Sequence, residues 1–226
     1  MSRPNLRQWL GFEVIEVSLK ERLVAALGGG VAMYLLWQLC TACLHGPQAI
    51  ALVASMGAST VLIFAVPHGP LSQPWPVLAG HVLPALIGVA CDRHLADPAL
   101  AASAAIALTI LVMHLGRCIH PPGGGTALIA VLGGDSVHEL GYRFALTPVL
   151  ANAAMLVGLA LVINFAFPWR RYPAILSRPA ARAAPRAFEP PSHEAVLAAV
   201  RDLDSFVDIS EEDLIRLAKR LSPPKA

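Results

Sequence analysis

The sequence predicts an all-α, polytopic membrane helix bundle with short or broken helices, arranged as a three-plus-three inverted repeat and followed by a short cytoplasmic helical tail. Three observations carry this. Hydrophobic residues make up 56% of the 226 positions and charged ones only 14%, far too apolar for an ordinary soluble domain. The apolar residues fall in long uncharged runs of the length a bilayer demands. The run Cys118-Ile119-His120-Pro121-Pro122-Gly123-Gly124-Gly125-Thr126 then interrupts them with residues unsuited to a helix interior, since its prolines lack backbone donors and its glycines favour no one conformation. The net charge of +2 is small, and most Lys and Arg lie before Leu23 or after Phe167, so nucleic acid is not an expected partner and the lipid bilayer is.

Residues 1–22 mix Arg3, Arg7, Lys20 and Arg22 with Trp9, Leu10, Phe12, Val14, Ile15 and Val17, the mixture of an interfacial lead-in. A plain solvated tail is the alternative, and a cleaved signal peptide is not expected. Leu23 to Leu44 is free of charge and reaches the roughly 20 residues that a crossing needs. The small residues Gly28, Gly29 and Gly30 within it suit close helix contact. Ala49 to Val66 is shorter and holds Gly57-Ala58-Ser59-Thr60, so it can cross, or enter and break at Gly57. A proline-rich loop through Gln73 and Trp75 leads to Val77–Cys91, which is apolar apart from His81.

Ala99 to Leu115 is the next span. After the His120 interruption comes the short run Ala127 to Leu132, then a polar loop from Gly133 to Arg143. The last span, Phe144 to Phe167, carries Pro148, Asn152 and Asn164. Residues 23–173 thus form a transmembrane domain, 174–191 an Ala/Pro/Arg linker, and 192–226 a cytoplasmic tail in which Ser210 to Asp213 opens a helix as a capping box. Two short helices bury little core, so they can pack on each other, on another subunit of a homo-oligomer, or on a domain beyond this chain. An even number of crossings places both termini on one side, and the Lys and Arg at both ends make that side cytoplasmic.

The two halves resemble each other. Thr60-Val61-Leu62-Ile63 matches Thr126-Ala127-Leu128-Ile129, and Pro76-Val77-Leu78-Ala79 returns as Pro148-Val149-Leu150-Ala151 in the same order. With an odd number of crossings per unit the second unit is inverted; with re-entrant short segments the repeats run parallel. Cys40, Cys43, Cys91 and Cys118 lie in or beside apolar runs and read as packing residues, without the second pair a zinc site needs.

Every Asp and Glu between Leu23 and Phe167 lies in a loop, so the buried carboxylates with which cation carriers bind their ions are missing. The inner segments offer instead His120, Pro121, Pro122, Gly123, Gly124, Gly125 and Thr126, together with Gly57, Ala58, Ser59, Thr60, His81 and Asn152. A helix starting just after Gly57 or Gly123 points free amides and its positive dipole end at the break, which favours a small anion. His81 and Asn152 stand one residue apart after the shared Pro-Val-Leu-Ala and are expected to face each other. Arg117, Gln73 and Asn164 are pore-mouth candidates, although Arg117 can equally snorkel to headgroups. The local alternatives are that His120 caps a broken helix and that His81 and Asn152 each make a helix–helix hydrogen bond. No nucleophile elbow, zinc-protease helix or phosphate loop is present, so an enzyme is not expected, and neither a metal nor a cofactor is called for.

His120-Pro121-Pro122 with Thr126-Ala127-Leu128 resembles the signature of the HPP family of integral membrane proteins. Gly57-Ala58-Ser59, the loop Pro70-Leu71-Ser72-Gln73-Pro74, Gly80-His81, Leu146-Thr147-Pro148 and Tyr172-Pro173 are similar to that family's pattern too, over roughly Arg22 to Pro173. The resemblance implies four transmembrane helices, with the remaining two segments short or re-entrant. It also implies nitrite transport, the activity attributed to plastid and cyanobacterial members. Bacterial members often continue into paired CBS domains, and Ser192 to Leu221 resembles the lead-in to them; a chain stopping at Ala226 is not expected to sense adenylates that way. The expected function is a channel-like pathway for a small monovalent anion. A membrane sensor or scaffold signalling through the tail is the alternative, and a carrier for a metal taken by His is a third.

Overall fold

The computed structural model describes residues 17–43 and 48–177, and of Cys43 and residues 48–53 the backbone alone. The expectations for residues 1–16, for most of the linker and for the whole tail lie outside the described residues. From Ala25 onward the helices belong to one compact unit, Ala25–Pro179.

That unit is built of helices, with no strand among the described residues: α1 (Leu19–Cys43), α2 (Gln48–Ala65), α3 (Pro74–His94), α4 (Pro98–Leu115), α5 (Pro122–Leu132), a single turn α6 (Asp135–His138) and α7 (Ala151–Phe165), the last preceded by a π-helical turn at Ala145–Leu150. Four stretches are long and apolar enough to cross a membrane: Leu19–Ala42, Pro74–His94, Pro98–Leu115 and Ala145–Phe165. Pro122–Leu132 is a shorter apolar helix, and the 18-residue α2 is apolar along Ala54–Ala65. The protein is therefore an integral membrane protein, with four helices long and apolar enough to cross among the described residues. Its outward residues, Leu108, Ile110, Leu111 and Leu115 on α4 among them, are apolar and exposed, which is what lipid rather than water solvates.

Proline opens three of the helices. Pro74, Pro98 and Pro122 occupy first-turn positions, where the missing amide costs nothing and the fixed φ already suits a helix. Asp97 adds a cap, its carboxylate accepting from the Ala99 amide at 3.0 Å. Successive helices reverse direction. Trp75 Nε1 at the start of α3 donates to the Gly116 carbonyl at the end of α4, and a Cβ on Gly28 of α1 would touch Phe64 near the end of α2 and Ile163 near the end of α7. Gly28 of α1 and the ends of α2 and α7 therefore lie at the same end of this unit.

Two expectations are corrected. Helix α2 runs unbroken through Gly57, because a glycine lowers helix propensity by about 1 kcal/mol without removing a hydrogen bond. The last span is the interrupted one. Thr147 has extended backbone angles (φ −133°, ψ 112°), and the Thr147–Pro148 peptide is cis. Pro148 supplies the reason, since it lacks an amide and drives the preceding residue out of the helical region.

Candidate functional site

Helix α4 ends in a turn that aims the chain back into the bundle. The Gly116 amide bonds the Val112 carbonyl, Arg117 bonds His114, and Cys118 reaches back to Met113 at 2.9 Å. Arg117 has φ +50°. These bonds form a Schellman motif with a non-glycine in the left-handed position and with Cys118 packed near Met113. Two residues later His120 enters the interior, fully buried, and Pro122 begins α5.

Helix α5 then packs along α3 at backbone contact. A Cβ built on Gly123 would overlap the Gly80 carbonyl, and one on Gly88 would lie 2.6 Å from the Ala127 carbonyl. A Cβ on Gly80 would come 2.5 Å from that of His120. Glycine is required at these points so that the two backbones can approach. This contact sets His81 of α3, His120 and Thr126 of α5 side by side, with α2 closing over them.

Four of the expected side chains meet in one hydrogen-bonded cluster. Ser59 Oγ lies 2.7 Å from His81 Nε2 and 2.8 Å from His120 Nε2. His81 Nδ1 is 2.7 Å from Thr126 Oγ1. His120 Nδ1 donates to the Leu71 carbonyl at 2.9 Å. The two imidazoles meet edge to face, with centroids 4.9 Å apart. Ser59, His81, His120 and Thr126 are each 0% exposed, so every hydrogen of the cluster goes to another protein group.

Two members were missed in the sequence. Ser55, one helical turn before Ser59, places its hydroxyl 3.2 Å from that of Thr126 and its carbonyl 3.2 Å from Ser59 Oγ; the i, i+4 spacing on one helix was the available signal. The Leu71 carbonyl, in the Pro70–Ser72 turn, has no signature of its own.

The other expected residues serve elsewhere. Thr60 turns to the Met56 carbonyl and to Met33, Ala58 is exposed, and Gly57 is half-buried beside open space. Asn152 does not face His81: its Oδ1 accepts from Cys40, and its Nδ2 is buried without a partner among the described residues. Asn164 accepts from Arg170, whose guanidinium also donates to the Phe64 carbonyl and so caps α2. Burial lowers the Arg170 pKa to about 10, which leaves it charged at neutral pH. Gln73 ties its own loop together through the Pro67 and Gly69 carbonyls and the Ala174 amide. Arg117 is exposed.

The amides expected to greet an anion are already used. Gly123 donates to the His120 carbonyl at 2.9 Å and Gly124 to Pro121 at 3.0 Å, so the site's donors are side chains. Pro121 and Gly124 instead border an apolar groove of about 220 Å³ against Ile106, Thr109 and Met113 of α4. The Thr109 hydroxyl there is buried and unpartnered among the described residues.

The profile of the HPP transmembrane region matches residues 15–173. The chain belongs to the HPP family. This HPP chain is also similar to two transmembrane proteins of Dictyostelium discoideum, 38% and 36% identical over 130 residues, which is 56% of the chain in each case. It spans less than half the length of these relatives, 45% of one and 42% of the other. No solved structure matches it.

Proposed function

We propose that this HPP domain carries a small monovalent anion across the membrane, with nitrite the first candidate, and that the buried Ser59–His81–His120–Thr126 cluster is the step at which the anion is selected. The observation that carries the reading is the composition of the cluster: two imidazoles and two hydroxyls, fully buried and bonded to one another, with no carboxylate among them. Polar groups are kept at such depth at a cost in free energy, and ionisable ones within spans mark solute pathways. Imidazole and hydroxyl hydrogens suit an acceptor that is small and negatively charged. Nitrite, rather than another anion of similar size, comes from the family resemblance.

The test is uptake into liposomes holding the full chain, comparing nitrite, nitrate, formate and chloride. Nitrite uptake above that of protein-free liposomes is expected. His120→Ala, verified as folded by its elution and thermal transition in detergent, should reduce that uptake by about tenfold or more, since it removes a group that contacts the solute. No flux of any of the four anions, together with capture of a partner by residues 192–221, would replace transport with the sensor reading.

A further inference from the structure

The hydrogens of the cluster can be counted. A carbonyl only accepts, so the bond to Leu71 fixes a hydrogen on His120 Nδ1 and makes Nε2 of the neutral ring an acceptor. The Ser59 hydroxyl then donates its one hydrogen to His120 Nε2. His81 Nε2 must in turn donate to Ser59 Oγ, which leaves His81 Nδ1 to accept from the Thr126 hydroxyl. The bonds run in one direction, from Thr126 through His81, Ser59 and His120 to Leu71.

The arrangement has a reserve acceptor for each hydroxyl. When a proton is added to His120 Nε2, the Ser59 hydrogen turns to the Ser55 carbonyl, 3.2 Å away, and Ser59 Oγ accepts from both rings. A proton added instead to His81 Nδ1 turns the Thr126 hydrogen to Ser55 Oγ, also 3.2 Å away. Neither change moves a heavy atom. Both at once would set two cations with ring centroids 4.9 Å apart, so the capacity is one proton. The groups converging on the rings are Ser55 and Ser59 from α2, His81 from α3, Thr126 from α5, and His120 and the Leu71 carbonyl from the loops. No Asp, Glu, Lys or Arg among the described residues bonds to either imidazole, to Ser59 or to Thr126. Of the nearby titratable or charged residues, Cys118 is buried toward the end of α4 and Arg117 is exposed.

We propose that the cluster is a one-proton site and that the proton travels with the anion, making transport an electroneutral one-to-one symport. This rests on the anion reading above and adds its coupling. An imidazolium buried without a counter-charge is costly, and so is an anion buried alone; together they are neutral. The Ser59 hydroxyl, which can donate to His120 or accept from it, is the pivot.

The test uses the full chain in liposomes with sodium nitrite outside, an internal pH dye, and protein-free liposomes as the baseline. Nitrite uptake is expected to acidify the lumen by one proton per ion and to accumulate about tenfold further for each pH unit of inside-alkaline gradient. A valinomycin-imposed potassium potential should leave the initial rate unchanged. Folded Ser59→Ala, which lacks the pivot, should lose the pH dependence more than the affinity for nitrite. Uptake that follows the potential, with no lumenal acidification beyond baseline, overturns the symport while leaving anion transport standing. No nitrite uptake under either gradient overturns both.

Discussion

Ser59 shows what one residue contributes. Its hydroxyl meets two imidazoles and a carbonyl within 3.2 Å, so replacing it leaves buried ring nitrogens unsatisfied, at about 1–3 kcal/mol each. Gly123 contributes by the absence of a side chain. We expect Gly123→Ala to lower stability by about 3 kcal/mol or to prevent folding, because the added methyl meets a backbone carbonyl that cannot step aside. Gly124→Ala is the matched control: its methyl would find Ile106 at 3.6 Å, an ordinary contact, and should change stability by no more than about 1 kcal/mol. Thermal unfolding of both variants in detergent checks this, and equal behaviour would show that α3 and α5 do not meet where described. The two glycines are neighbours in one Gly-Gly-Gly run, and nothing in the sequence separates them. Which one faces the other helix depends on the rotation of α5.

At the scale of the element, the turn after α4 and the start of α5 decide where His120 goes. Arg117 holds a left-handed conformation that a residue with a Cβ adopts at a cost of about 1 kcal/mol relative to glycine. Arg117→Gly should therefore stabilise the protein by about 1 kcal/mol, raising the melting temperature by roughly 2–4 °C for a chain of this size. An unchanged or lower transition would argue against the Schellman turn. Arg117 thus has a place in the backbone path, while its side chain is exposed. The existence of the spans was legible because an uncharged apolar run of that length has one stable home. Their interruptions were not: Gly57 looked like a break and is helical, while Pro148 sat within an expected span and breaks it. Glycine weakens a helix only by entropy, whereas proline removes a bond and excludes its predecessor from the helix, so the tertiary contacts could override the first and not the second.

For the whole molecule, the alternation of helices from Ala25 onward brings Gly28 of α1 and the end of α7 to one end. The cluster lies toward that same end, beside the Pro70–Ser72 turn. Arg170 and Arg171 follow α7 there, and from the positive-inside rule we propose that this end faces the cytoplasm. In intact cells Ile175→Cys should be protected from an impermeant maleimide while Ala96→Cys, at the opposite end and exposed, should react; the reverse pattern would invert the topology. Composition and run length alone determined that this is a membrane protein built of apolar helices, because a bilayer admits so few ways to bury backbone polar groups. The residue types of the cluster were also legible, since His, Ser and Thr stand out in apolar surroundings. Their grouping was decided only in three dimensions: Ser59, His81, His120 and Thr126 come from three helices and a loop, and they meet because Gly80 and Gly123 let two backbones touch. Asn152 and Asn164, just as polar and just as buried, were turned by the same packing toward Cys40 and Arg170, because a side chain's partners follow from the helix face it occupies and not from its chemistry.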